Sequence, residues 1–326
     1  MSRIFDALQR SESERNGEDS ENLPAGPELL QRAERHASSN WSDTSAVREF
    51  SPVAQANGDA PHSAGIAIAE APAEVVEVAE PEATPEAERV KLLEQVKPLE
   101  IALASQSRLV CLTDRESPTA EAVRLLGVRL RDLRRLKPLK KILITSTIPQ
   151  EGKSMIAGNL ACTLAHATTE RTLLIEGDLR RPSLAKMFGV RPGTGICDCV
   201  RDGGDFMQHI FRLDEAGFWI FPAGNAPSNP LELLQSPRLP ALMDQLAEVF
   251  DWIVVDSPPV LPLADTSVWM RLADGVLLVT RQGTTEKQQL QKGLEALDPK
   301  KMLGALLNGA VASAYSGYYY RAADHS

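Results

Sequence analysis

Tyrosine is missing from this 326-residue chain until its end, where all four stand together as Tyr315, Tyr318, Tyr319 and Tyr320. Tyrosine is ordinarily a residue of cores and interfaces, so its exclusion from the body is not what packing alone produces. Long apolar runs are missing as well. No stretch of about 18 apolar residues occurs, and no membrane-spanning helix is expected. The opening residues, Met1-Ser2-Arg3-Ile4-Phe5-Asp6, lack the apolar core of a secretory signal. Cysteines are few, and Cys111, Cys162, Cys197 and Cys199 show no disulfide or metal-ligand spacing. Cys197-x-Cys199 is too tight for a usual zinc pair, and the four read as reduced cytosolic thiols. There is no basic excess: the formal net charge is −9. The acid is concentrated in the first hundred residues, which argues against nucleic acid as a partner of that segment.

What is present divides the chain in three. Residues 1–95 read as a disordered acidic region, rich in Ala, Glu, Ser, Pro and Gly and too poor in apolar surface to offset chain entropy. A short amphipathic helix over 1–15, with Ile4, Phe5 and Leu8 on one side, is its one structured candidate. Residues 100–312 carry the pattern of a folded domain, and 313–326 form a tyrosine-rich tail. Within the domain, Ser117-Pro118-Thr119 starts a helix over 117–136, with Val123, Leu126, Leu130 and Leu133 at helical spacing and arginines on the other face. Strands are predicted at Lys141–Ser146, Thr172–Ile175, Phe218–Phe221, Trp252–Val255, Gly275–Thr280 and Leu303–Leu307. Helices are predicted at Leu239–Phe250, Thr266–Leu272 and Thr285–Leu297. Continuous apolar strands alternating with amphipathic helices predict an α/β fold, a mostly parallel sheet with helices on both faces.

The chemistry starts where the first strand ends. Ile142-Leu143-Ile144 is followed by a loop, and Gly152-Lys153-Ser154 opens a helical segment with Met155, Ile156, Leu160 and Leu164. Strand, loop, Gly-Lys-Ser and helix make a P-loop. Backbone N–H groups at the helix start attract phosphate oxygens. Gly152 lets the backbone come close, Lys153 reaches the outer phosphates, and the Ser154 hydroxyl can ligate Mg²⁺. Thr147 stands where the usual pattern has its first glycine. The second strand ends in Glu176-Gly177-Asp178 and the fourth in Asp256-Ser257-Pro258-Pro259. Carboxylates at strand C-termini project into the crevice where α/β sheets bind ligands, and there they can hold Mg²⁺ or accept a proton.

The order of these motifs resembles the bacterial tyrosine kinases of capsule and exopolysaccharide synthesis. Ser146-x-x-Pro149-x-Glu151-Gly152-Lys153-Ser154 is similar to their Walker A, Glu176-x-Asp178-x-Arg180-x-Pro182 to their Walker A′, and Asp256-Ser257-Pro258-Pro259 to their Walker B. Gly224-Asn225-Ala226-Pro227-Ser228-Asn229-Pro230 and Leu303-Gly304-Ala305-Leu306-Leu307-Asn308 also follow the family pattern. The resemblance runs from about Ser117 to the C-terminus. It implies a P-loop NTPase-like fold and an ATP-dependent, Mg²⁺-requiring tyrosine autokinase. By resemblance, Lys153, Asp178 and Asp256 are catalytic, and Pro149, Glu151, Gly152, Lys153, Ser154, Met155 and Arg180 bind the nucleotide. Ser154, Glu176, Asp178 and Asp256 hold the metal, Arg180 contacts phosphate or an acidic neighbour, and Tyr315, Tyr318, Tyr319 and Tyr320 accept phosphate.

The resemblance further implies a membrane-bound polysaccharide co-polymerase (a chain-length regulator) as activator, a homo-oligomer, and a cognate tyrosine phosphatase. The expected location is cytoplasmic, at the inner face of the membrane through that partner. Two positions depart from the family. Glu176 replaces an aspartate, and Gly127 replaces the last arginine of the oligomer motif Glu121-x-x-Arg124-x-x-Arg. Two alternatives stay open at this point: a partitioning-type regulatory ATPase, against which Ile148 stands in place of the signature lysine, and a nucleotide-binding scaffold with little turnover.

Overall fold

The computed structural model describes residues 93–104, 107–166, 170–261 and 263–310. The expectations for residues 1–92 and for the tyrosine tail lie outside the described residues. In chain order the main elements are α1 (Val110–Thr113), α2 (Pro118–Leu136), β1 (Lys141–Ser146), α3 (Lys153–His166), β2 (Thr172–Glu176), α4 (Leu184–Met187) and α5 (Ile196–Asp202). They continue with β3 (Phe211–Leu213), β4 (Phe218–Phe221), α6 (Pro230–Leu234), α7 (Arg238–Val249), β5 (Trp252–Asp256), α8 (Asp265–Leu272), β6 (Gly275–Arg281), α9 (Lys287–Glu295) and β7 (Met302–Asn308).

The strands form one seven-stranded sheet in the order β3-β4-β2-β5-β1-β6-β7. Every neighbouring pair is parallel except β3 with β4. Side chains alternate between the faces of a strand, and here both faces are apolar. Leu143, Leu173, Ile175, Ile253, Val255 and Leu278 share a core with α7 and α8. Ile142, Ile144, Leu174, Val254, Leu277 and Val279 pack under α3 and α2. Burial on both sides is why the strands read as unbroken hydrophobic runs.

Helix α2 begins as its sequence predicts: the Ser117 hydroxyl accepts the Ala120 N–H and Pro118 takes the first turn. Gly127 has a packing reason. A Cβ there would come within 3.2 Å of Thr163 Cγ2 on α3, so the glycine sits where the two helices press together.

The folded part reaches further back than residue 100. Leu93 and Val96 are buried. Leu99 N–H donates to Arg212 O at 2.9 Å, and Arg212 N–H donates to Lys97 O at 3.0 Å. This strap covers the sheet edge at β3, where unpaired backbone groups would otherwise be open, and then runs on to Ser107 and Arg108. Strands β2 and β5 each extend one residue past expectation, so that Glu176 and Asp256 stand opposite each other in register. Strand β3, three residues long, is too short for a recognisable apolar run, and the helices α1, α4, α5 and α6 make two turns or fewer, too few to show a 3.6-residue period, so the sequence pattern does not announce them.

Candidate active site

The loop after β1 is shaped by its own side chains. Ser146 Oγ donates to Ile148 O at 2.8 Å, and Ile148 N–H donates to Glu151 Oε2 at 2.8 Å. Glu151 Oε1 also takes the Thr285 hydroxyl from the β6–α9 connection. Gln150 and Gly152 adopt φ of 69° and 94°, in the left-handed region. Glycine enters that region freely, whereas glutamine does so at a cost. Thr147, in place of the usual glycine, is fully buried against α9. It fits because α9 offers Gly293, where a Cβ would stand 2.9 Å from Thr147 Oγ1.

Helix α3 starts at Lys153, and its side chain meets carboxylates from β2 and β5. Lys153 Nζ lies 2.9 Å from Asp178 Oδ2 and 3.6 Å from Asp256 Oδ1, and donates to Ser154 Oγ at 3.3 Å. Burial works against the ammonium charge. Asp256 and Asp178 outweigh it and hold the Lys153 pKa above its ordinary value. Asp178 Oδ1 accepts the Arg181 N–H at 3.1 Å, which fixes the carboxylate at the start of the Walker A′ turn. Asp256 is wholly buried, and burial pushes its pKa up to about 6 against the pull of Lys153.

Both Asp256 oxygens are buried without a hydrogen-bond partner. A buried carboxylate left so is costly, and a divalent cation would relieve it. The donors facing this spot are hard oxygens, the Ser154 hydroxyl and the Asp178 and Asp256 carboxylates, which suit Mg²⁺. Among the described residues no group of three or more His, Cys, Asp or Glu side chains is arranged to hold a metal by itself.

Three expected site residues are engaged elsewhere. Glu176 is 1% exposed, and its Oε1 takes the Leu184 N–H at 2.6 Å while its Oε2 takes the Ala223 N–H at 3.0 Å. Its carboxylate thus pins the end of β4 to the start of α4. Glu151 is buried within its own loop; burial raises its pKa, opposed by the Thr285 hydroxyl. It shapes the phosphate loop and does not line the cavity. Arg180 grips buried Asp265 of α8 with two bonds, Nε to Oδ2 at 2.7 Å and Nη2 to Oδ1 at 3.0 Å. The acidic neighbour is thus one partner of Arg180, which also borders the cavity.

Pro149, Gly152, Lys153, Ser154, Met155, Asp178 and Arg180 border one cavity of about 940 Å³. Ser107 and Arg108 of the strap and Arg281 at the end of β6 line it too. No motif announces these, because Ser107 and Arg108 reach the cavity only after the strap has crossed the sheet edge, and Arg281 only because β6 pairs beside β1. Tyr315, Tyr318, Tyr319 and Tyr320 lie outside the described residues.

No family model matches the chain. The Tyrosine-protein kinase YwqD of Bacillus subtilis is 32% identical over 223 residues, which cover 68% of this chain and 94% of that protein. The Succinoglycan biosynthesis transport protein ExoP of Rhizobium meliloti is 37% identical over 174 residues, 51% of this chain but 22% of that much longer protein. Among solved structures, the kinase domain of the Escherichia coli tyrosine kinase ETK superposes with a TM-score of 0.58 at 25% identity, covering 69% of this chain and 96% of that one.

Proposed function

The chain belongs to the bacterial tyrosine-protein kinase family, and from that premise we propose that it transfers the γ-phosphoryl group of ATP to tyrosine, first to the tyrosines of its own tail. The carrying observation is the meeting of Lys153 with Asp178 and Asp256 at the mouth of the phosphate loop.

Phosphoryl transfer asks mainly for positioning and charge neutralisation. Backbone N–H groups at the start of α3 face the cavity where phosphates would lie. Lys153, held between two carboxylates, turns its ammonium toward the β- and γ-phosphates when they arrive. Ser154, Asp178 and Asp256 are the residues that would hold Mg²⁺, which when bound neutralises charge on the phosphate oxygens. Asp178 is the base: its carboxylate takes the proton of the tyrosine hydroxyl as the phenolic oxygen bonds phosphorus and the bond to the β-phosphate oxygen breaks. Glu176 and Arg180 help keep the Walker A′ turn in place.

The biological setting in this reading is exopolysaccharide or capsule production, in line with the name of the succinoglycan relative. Among the described residues no helix is long and apolar enough to cross a membrane. The proposed arrangement is a cytoplasmic kinase held at the membrane by a polysaccharide co-polymerase that activates it, assembled with copies of itself and reset by a tyrosine phosphatase. The test incubates purified protein with labelled ATP and Mg²⁺ and maps the label. Phosphotyrosine at Tyr315, Tyr318, Tyr319 or Tyr320 is expected. Label on serine or threonine would overturn the reading.

A further inference from the structure

Asn308 closes the last strand and has no part in the scheme above, yet its side chain lies on the phosphate loop. Its Nδ2 donates to Glu151 O at 2.8 Å. It also sits directly over Gly152: a Cβ on that glycine would stand 2.2 Å from the same Nδ2. The neighbouring strand acts in parallel. Arg281, paired with Asn308 in the β6–β7 register, donates from Nη1 to Gln150 O at 3.3 Å. Gln282 N–H donates to Asn308 O at 2.9 Å and fixes the residue that carries the amide.

The peptide group is planar and trans, so the C=O of one residue and the N–H of the next point in opposite directions. Drawing Glu151 O onto Asn308 therefore turns the Gly152 N–H away from β7. Gly152 borders the nucleotide cavity, and its N–H is one of those a phosphate would meet. Drawing Gln150 O onto Arg281 does the same for the Glu151 N–H. These holds also keep Gln150 at its φ of 69°, a conformation that a non-glycine residue does not choose unaided.

We propose that Asn308 is a positioning residue for nucleotide binding, its amide donor holding the phosphate loop with the backbone N–H groups aimed at the phosphates, and Arg281 assisting. This rests on the nucleotide-site reading above. It also places the control at the root of the tail, since Gly309 follows with φ of 73° and the tyrosines come a few residues later.

The experiment titrates the full-length protein with ADP in the presence of Mg²⁺ and melts each variant without nucleotide. Asn308→Leu has nearly the shape of asparagine but no donor, and brings no charge to repel phosphate. Loss of one neutral hydrogen bond that orders the loop should weaken ADP binding roughly five- to tenfold. The unliganded melting temperature should stay within a few degrees of wild type. Arg281→Met should weaken binding by a smaller factor, and it carries the comparison if Asn308→Leu does not fold. Wild-type affinity in these variants, or an affinity loss matched by a general collapse of unliganded stability, overturns the proposal. Failure of the unmodified protein to bind ADP overturns instead the nucleotide-site reading on which it stands.

Discussion

Replacing Glu176 by glutamine keeps the shape of the side chain and removes its charge at a site that is 1% exposed. The native carboxylate accepts one backbone N–H on each oxygen, from Leu184 at 2.6 Å and Ala223 at 3.0 Å. A glutamine amide has one acceptor oxygen, so its NH₂ must face one of those N–H groups, donor against donor. An orphaned buried donor costs about 1–3 kcal/mol, and the surviving bond loses its charge assistance. The expected loss is about 2–4 kcal/mol, which for a domain of this size lowers the melting temperature by about 5–12 °C. Glu176→Asp keeps the charge but retreats by one methylene, so it reaches one amide and not both, at about 1–3 kcal/mol. Both variants loosen the turn that carries Asp178, and turnover should fall with them. The assay is thermal unfolding without nucleotide beside ATP turnover on the same samples. A Glu176→Asp protein that melts like wild type and turns over faster would refute this reasoning and return the carboxylate to the metal.

Lys153→Met should abolish turnover, and it should also destabilise the unliganded protein by about 3 kcal/mol, because Asp178 and Asp256 are then buried without their cation; urea unfolding measures this, and unchanged stability would contradict the ion-pair geometry. Asp256, at about 6 in the folded protein against an ordinary 3.8, binds a proton that the unfolded chain does not bind between those values. Its contribution to stability is therefore present below about pH 4 and lost as pH rises through about 6. Affinity for Mg²⁺-ADP should move the opposite way, strengthening as pH rises through about 6, and an affinity flat from pH 5 to 7 would count against Asp256 as a metal-site residue. A chain begun at residue 93 should unfold like the full chain. One begun at residue 110 loses buried Leu93, Val96 and Leu109, each worth about 1.5–3 kcal/mol, and should melt at least about 10 °C lower. Transfer to the tail is expected between molecules: a Lys153→Met protein with its tail should be labelled by an active protein lacking residues 314–326, and an unlabelled tail would show that transfer is internal.

Residue order alone makes the parallel sheet legible and points to one candidate centre. Unbroken apolar runs such as Leu173–Ile175 and Trp252–Val255, alternating with amphipathic helical segments, read as strands buried on both faces, and a Gly-Lys-Ser that opens a helix after such a run reads as a phosphate loop. Lys153, Asp178 and Asp256 stand out as candidates because each lies at or a few residues past a strand's C-terminal end, and such offsets survive folding. The partners of the remaining polar residues emerge only from the folded arrangement. Glu176 and Asp178 stand two positions apart in one motif, yet one faces the backbone of Leu184 and Ala223 and the other faces Lys153. Arg180 reaches across 85 positions to Asp265, and Asn308 reaches across 157 to Glu151. No spacing rule carries such pairs, because they depend on which strand ends the sheet order makes neighbours. The strap at residues 93–109 went unseen for a related reason: its few apolar side chains have no period, and they become a core element only once β3 presents an edge for them to cover.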